Sequence, residues 1–286
     1  MRPKKEGGFF SRIFNRFLLR YWIIAGVVIL AVVAGAVIVN ATRHVTSNET
    51  ALYQKSSVTI GIGTTNPSFG AVASDGTITG FDRDVAAAIM ERLYPDVKVQ
   101  YVSIEQQETS YLLKNGTIDM ALAMLPTGVL KTEGISLSNG YFMDSVYPFV
   151  TKDSAIASTN QLQGKRLFIM DCDCDASEVT TALKALGFTN DTVNCTAYPD
   201  AVTALKNASA DAIISPKYKI EKYSGDLKQL QPKLIDLNYR VALWRTNSDA
   251  LQPINDCIRQ MKNDGTLEGL KNKWNIKEDT TSVKNK

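Results

Sequence analysis

Leu113-Lys114-Asn115-Gly116-Thr117-Ile118-Asp119-Met120-Ala121 returns 92 residues later as Leu205-Lys206-Asn207-Ala208-Ser209-Ala210-Asp211-Ala212-Ile213. Both copies read alike. An apolar-periodic helix ends at Lys-Asn, where a cation suits the negative end of the helix dipole and Asn or a following Gly can take a left-handed cap. A short turn follows, and an Asp then opens an apolar run of strand length. Each copy is preceded by a further strand-like run, at Val97–Val102 and at Thr192–Tyr198. A helix-turn-strand unit used twice predicts two similar α/β lobes in one chain. The repeated acids Asp119 and Asp211 read as turn or strand-edge residues rather than catalytic ones.

Outward from the repeat, strand and helix signals alternate. Val58–Ile62 alternates like a strand, and Thr77–Phe81 follows an Asp75-Gly76 turn. Asp82 is placed to cap a helix with Val85, Ala88, Ile89 and Leu93 on one face. Ser103 and Gln106 have capping-box spacing before the helix that ends at Lys114. Arg166–Met170 reads as a strand, Asp175 as the cap of the next helix with Glu178 three residues on, and Asp249–Trp274 as helix broken at Asp264-Gly265. Such alternation predicts parallel sheets with helical crossovers.

The N-terminal part differs in character. The first 20 residues carry six cations against Glu6, a balance of +5 within a chain total of +3, which leaves about −2 for the rest. No nucleic-acid surface is expected there. Tyr21–Val39 is a run of 19 uncharged residues. As a helix it would be about 29 Å long, enough for a bilayer core of about 30 Å. It exceeds the roughly 7–15 residues of a cleavable signal core, so a retained anchor is expected over residues 21–41. The cations before the span place the N-terminus in the cytoplasm and the remainder outside. Within residues 1–20, Phe10, Ile13, Phe14, Phe17 and Leu18 share a helical face opposite Arg12, Arg16 and Arg20, which suits a collar on anionic lipid. Residues 42–56 read as a polar stalk.

Several runs resemble one family. Gly61…Thr64…Pro67-Ser68-Phe69-Gly70, Gly80-Phe81-Asp82-Arg83-Asp84, Lys114–Asp119, Ser136–Phe142 and Asp264–Glu268 ending at Lys273-Trp274 look like the polar amino-acid-binding family of bacterial extracellular solute-binding proteins that serve ABC importers. The resemblance implies a two-lobed periplasmic-binding-protein-like α/β fold of type II, with strands crossing near Tyr147–Val150 and Tyr239–Leu243. Lobe 1 would comprise residues 57–150 and 240–276, lobe 2 residues 151–239, and residues 277–286 a flexible tail. A small polar solute would sit between the lobes, and an ABC permease in the same membrane would be the partner. No cofactor is implied.

The resemblance also implies a set of ligand-binding positions: Thr65, Asn66, Gln106, Thr127, Lys131, Asp171, Asp173, Ser215 and Lys217. Here the chain departs from the family. The family's carboxylate-gripping Arg matches Lys131, which lacks the planar fork. Its ligand-clasping aromatic residues match Asn66 and Gln106. Its ammonium-binding Asp matches Pro216, and its Gly-Thr-Thr turn is replaced by Asp171-Cys172-Asp173-Cys174. An atypical ligand site that does not hold ordinary α-amino acids tightly is therefore expected. A sensory or scaffolding domain that kept the fold is the alternative.

Asp171–Asp175 admits three readings. A calcium loop would want Gly where Ala176 stands and Glu where Ala182 stands. A soft-metal site would want a second Cys or His cluster. A disulfide in an extracytoplasmic lobe asks least, with Cys195 bonded to Cys172 or Cys174 and Cys257 free. An enzyme is disfavoured, because the single histidine, His44, lies in the stalk.

Overall fold

The computed structural model describes residues 52–128, 130 and 133–280. The expected anchor over 21–41, the basic tail over 1–20 and most of the stalk lie outside these residues. Among the described residues no helix is long and apolar enough to cross a membrane.

Two copies of one unit account for most of the chain. In lobe 1, β1 (Ser57–Gly63) is followed by the short β2 (Ala71–Val72) and β3 (Ile78–Thr79). Then come α1 (Phe81–Leu93), β4 (Lys98–Ile104), α2 (Thr109–Lys114) and β5 (Met120–Leu122). In lobe 2 the same path runs β7 (Arg166–Met170), α3 (Ala176–Ala185), β8 (Asp191–Cys195), α4 (Tyr198–Lys206) and β9 (Ala212–Pro216). Within each triad the first strand is central and parallel to both neighbours. The central and inner strands of each triad are largely buried, with separate apolar clusters on the two faces as helical crossovers require. The outer strands β4 and β8 are mostly exposed or half-buried.

The repeated Asp explains why the sequence unit recurs. Asp119 accepts from Thr59 N at 2.8 Å while its own N–H donates to Thr59 O at 2.8 Å. Asp211 does the same with Arg166, at 2.8 and 2.9 Å. Each therefore ties the incoming inner strand to the central strand of its triad. The turn before it needs a left-handed residue, supplied by Gly116 (φ 74°) in lobe 1 and by Ala208 (φ 60°) in lobe 2. A Cβ there is costly, so Ala208→Gly is expected to stabilise the chain by about 0.5–1 kcal/mol. An unchanged or lowered urea midpoint would rule this out.

Two long strands join the lobes. They are β6 (Ile135–Thr151) and β11 (Ile235–Trp244), which pair antiparallel over most of β11 with register shifts around Arg240. β11 borders β5, and β6 borders β9, so one continuous sheet runs β4-β1-β5-β11-β6-β9-β7-β8. The exchange falls earlier along β6 than the sequence suggests, since Val146–Phe149 already pair with β9 of lobe 2. The short β10 (Leu227–Gln229) pairs with the end of β6. Lobe 1 is completed by α5 (Leu251–Asn263) and α6 (Thr266–Lys273), split at Gly265 (φ 80°) where the Asp-Gly break was expected.

Both ends of the described chain are more firmly held than the composition suggests. Leu52, at the end of the expected stalk, is wholly buried in the lobe 1 core, and Lys55 pairs with Asp119. Residues 277–279, read as the start of a flexible tail, strap the hinge instead. Glu278 accepts from Met143 N at 2.7 Å and pairs with Lys271 at 3.0 Å. The Tyr147 hydroxyl donates to the Asp279 carboxylate, and Lys233 Nζ donates to Asp279 O at 2.8 Å.

Candidate functional site

The loops at the carboxyl ends of all six parallel strands converge on one cleft, the place where open α/β sheets hold ligands. From lobe 1 come Thr65 after β1, Glu105–Gln107 and Ser110 after β4, and Leu130 after β5; from lobe 2 come Asp171–Asp173 after β7, Thr196 and Tyr198 after β8, and Lys219 and Lys222 after β9. The cavity they enclose is about 490 Å³.

Two amide side chains of lobe 1 reach directly across to lobe 2. Asn66 is fixed by its own turn, in which Ser68 N donates to its Oδ1 at 2.9 Å and the N–H groups of Phe69 and Gly70 donate to its carbonyl. Gly80 (φ 127°) lets this turn close down, since a Cβ there would lie 2.2 Å from Phe69 O. Asn66 Nδ2 then donates to Tyr218 O at 2.6 Å and to Glu221 Oε2 at 3.0 Å. Gln106 Nε2 donates to Cys172 O at 2.7 Å, and its Oε1 accepts from Lys219 Nζ. This reach is also why the expected capping box does not form: Gln106 is spent on lobe 2, and the Ser103 hydroxyl pairs with Thr64 Oγ1 at 2.7 Å.

Asp173 is the buried anion of the cleft. Its Oδ1 pairs with Lys219 Nζ at 3.0 Å, and its Oδ2 accepts from the Tyr198 hydroxyl at 2.9 Å and weakly from Cys172 Sγ at 3.4 Å. Burial first, and then the neighbouring Asp173 charge, push the Cys172 thiol up to about 12 and raise Tyr198 well above the usual phenol range. Neither is a nucleophile or base near neutral pH.

Two more carboxyls are buried, one on α1 of lobe 1 and one on the joining strand β6. Asp82, expected as a helix cap, is fully buried instead, accepting from Tyr141 Oη at 2.8 Å and Met124 N at 3.1 Å. Desolvation raises it to about 7. Asp144 on β6 accepts from Tyr239 Oη at 2.6 Å, Ser145 N at 2.7 Å and Tyr218 N at 3.2 Å, and burial raises it to about 6. Above them Phe69, Phe142, Tyr218 and Tyr239 form an aromatic cluster with ring centroids 5.1–5.9 Å apart, with Tyr218 coming from lobe 2.

Of the residues expected at the site, Thr65, Gln106, Asp171 and Asp173 line the cavity, and Asn66 lies buried beside it in the lobe-to-lobe contact. Asp171 is partly spent on its own helix, accepting from Ala176 N at 3.2 Å. Ser215 sits one layer behind, 2.9 Å from the Tyr198 hydroxyl. Thr127 is exposed and does not line the cavity, and Lys217 lies over the Tyr218 ring at 4.9 Å. Lys131 lies outside the described residues. The reading from sequence missed Tyr198 and Lys219. Tyr198 was assigned to a strand, yet Pro199 beside it marks the first turn of α4.

The expected disulfide is not formed: all four cysteines are free thiols. Cys174 packs in the apolar cluster on one face of the lobe 2 sheet, while Cys172 and Cys195 border the cluster on the other. Cys174 Sγ donates to Met170 O at 3.3 Å within its own turn, and Cys195 Sγ to Ala197 O at 3.4 Å. The three acids of the same run are also turned apart, with Asp175 capping α3 through Ser177 N at 2.8 Å. Among the described residues no group of three or more His, Cys, Asp or Glu is placed to hold a metal ion.

Residues 58–277 match the model of the bacterial extracellular solute-binding proteins, family 3, and the chain belongs to that family. It is 28% identical over 215 residues to the ABC transporter glutamine-binding protein GlnH of Bacillus subtilis, covering 72% of this chain and 76% of that protein. The L-cystine-binding protein TcyJ of Escherichia coli is 23% identical over 258 residues, 87% of this chain and 93% of the relative. Among solved structures, a probable amino-acid ABC transporter extracellular-binding protein of Bacillus subtilis superposes with a TM-score of 0.63 at 19% identity, covering 76% of this chain and 97% of the other. That likeness establishes the two-lobed α/β fold. These relatives are named as binding proteins and not as enzymes.

Proposed function

We propose that this chain is the membrane-tethered solute receptor of an amino-acid-type ABC importer, with a ligand site that departs from the α-amino-acid pattern. One observation carries the reading: a cavity of about 490 Å³ lies at the carboxyl ends of both strand triads, with polar and charged side chains reaching it from both lobes. Family membership and the names of the relatives support import as the setting. The run Tyr21–Val39 supports tethering, and the cations before it support a cytoplasmic tail resting on anionic lipid with the binding domain outside.

A second reading is a sensory or scaffolding domain, favoured by the direct clasp of Asn66 and Gln106 on lobe 2. Uptake separates the two. Deleting the gene is expected to abolish accumulation of at least one small polar solute from a labelled panel, and re-expression to restore it. Unchanged uptake of every solute would favour the sensory reading. Protease added to intact cells should digest the chain beyond residue 42 and spare the tail. A mature N-terminus at Thr42 would instead show a cleaved signal.

A further inference from the structure

We propose that the ammonium group of Lys219 is an intramolecular occupant of an amine-binding subsite built by Asp173 and Gln106, and that the lobes close on it in place of a solute amine. The proposal rests on the reading of the cleft as a solute site. The Lys219 and Asp173 side chains are only 6% and 8% exposed, so the pair is nearly dry. Two acceptors converge on this ammonium, one carboxylate oxygen of Asp173 and the amide oxygen of Gln106. The amide is not free to turn, because its Nε2 is committed to Cys172 O at 2.7 Å, which leaves the oxygen facing Lys219. The other Asp173 oxygen is held by Tyr198.

Asp173, Tyr198 and Lys219 belong to lobe 2 and Gln106 to lobe 1. The ammonium is therefore one of the points at which one lobe grips the other, beside the Asn66 and Gln106 amide contacts, and the one a bound cation could replace. The cavity continues from this point past Gln107, Ser110 and Thr196, so a chain carrying a primary amine has a path to the same acceptors. Truncating Lys219 leaves Asp173 as a buried charge without a counter-ion, a state that strongly favours recruiting a cation.

The test uses the full-length chain in detergent, with donor and acceptor dyes on non-canonical residues at Glu108 and Asp200, which flank the cleft on the two lobes. Energy transfer should be high without added solute. In Lys219→Ala the closed-to-open ratio should fall roughly 10- to 100-fold, the scale of losing one hydrogen bond to a charged group between the lobes. Addition of n-butylammonium, but not n-butanol, should restore transfer saturably, and Lys219→Arg should retain it. Gln106→Ala, which leaves Lys219 and Asp173 paired within lobe 2, should lose transfer without amine rescue. Unchanged transfer in Lys219→Ala, or equal effects of amine and alcohol, would overturn the proposal. Should Lys219→Ala not unfold cooperatively, unchanged transfer in Gln106→Ala overturns it instead. These readouts need no permease, so a negative uptake result leaves them standing, and their failure leaves the import reading intact.

Discussion

Raising the pH from 5 to 7.5 is expected to destabilise the folded chain, opposite to the usual behaviour of paired carboxylates. Asp82 on α1 and Asp144 on β6 are buried, and desolvation raises them from 3.8 to about 7 and about 6. Each binds more protons folded than unfolded between those values. Stability is therefore fully present below about 4 and is lost as pH climbs through the folded pKa. Over the window the two together cost roughly 3–4 kcal/mol, from about 1.4 kcal/mol per unit. Carboxyls lowered by hydrogen bonds or ion pairs, such as Asp84 and Asp264, pull the other way, but their effect is complete once the unfolded chain has ionised near pH 4–5. Urea midpoints at pH 5, 6 and 7.5 provide the measurement, with His44→Gln as a control for the single histidine. Asp82→Asn and Asp144→Asn should each flatten the curve, since an amide keeps hydrogen-bonding capacity without a charge. A midpoint that rises over this window would exclude the account.

Much of the fold was legible because its signals are local. The helix-turn-Asp-strand repeat names the last helix and inner strand of each triad, and both copies form that unit. Ala208 rather than Asn207 takes the left-handed turn in the second, however, and the backbone contacts of Asp119 and Asp211 emerge only in the fold. Arg166–Met170, the Asp175 cap and the Asp264-Gly265 break need only neighbours within a few residues. The candidate site was legible in part, where loops at strand ends could be placed by resemblance. What escaped depends on partners far along the chain. Lys219 meets Asp173 from 46 positions away and Gln106 from 113. Gln106 has the spacing of a cap yet gains more from a carbonyl and an ammonium on the other lobe. Asp82 likewise forgoes capping for Tyr141 and Met124. Cys174 faces the opposite side of the sheet from Cys195, which spacing alone does not settle, whereas Cys172 and Cys195 share a face but turn their thiols to Asp173 and to Ala197 O.

None of the twenty amino acids is expected to bind the full-length chain with submicromolar affinity. The relatives are named for such ligands, so the expectation rests on what this chain offers a zwitterion. The ammonium group needs an anion, yet Pro216 stands at the position matching the family's Asp. The nearest cleft carboxylate, Asp173, is already paired with Lys219 and bonded by Tyr198. The ligand's carboxylate needs a fork, and the matching position is Lys131, a point charge without the planar geometry of Arg. Glu105 and Asp171 line the same cavity and repel that carboxylate. Asn66 and Gln106, the polar side chains best placed to substitute, donate instead to the carbonyls of Tyr218 and Cys172. A hydrogen bond to a charged group is worth about 1.5–3 kcal/mol. Two or three such bonds lost weaken binding by roughly 10²–10⁴-fold or more, at about 1.4 kcal/mol per factor of ten. Titration calorimetry across the twenty amino acids measures this directly. Submicromolar binding of any one of them, abolished in Lys131→Ala, would show that the family's grip survives here, and that Lys219 yields to a ligand more readily than its burial implies.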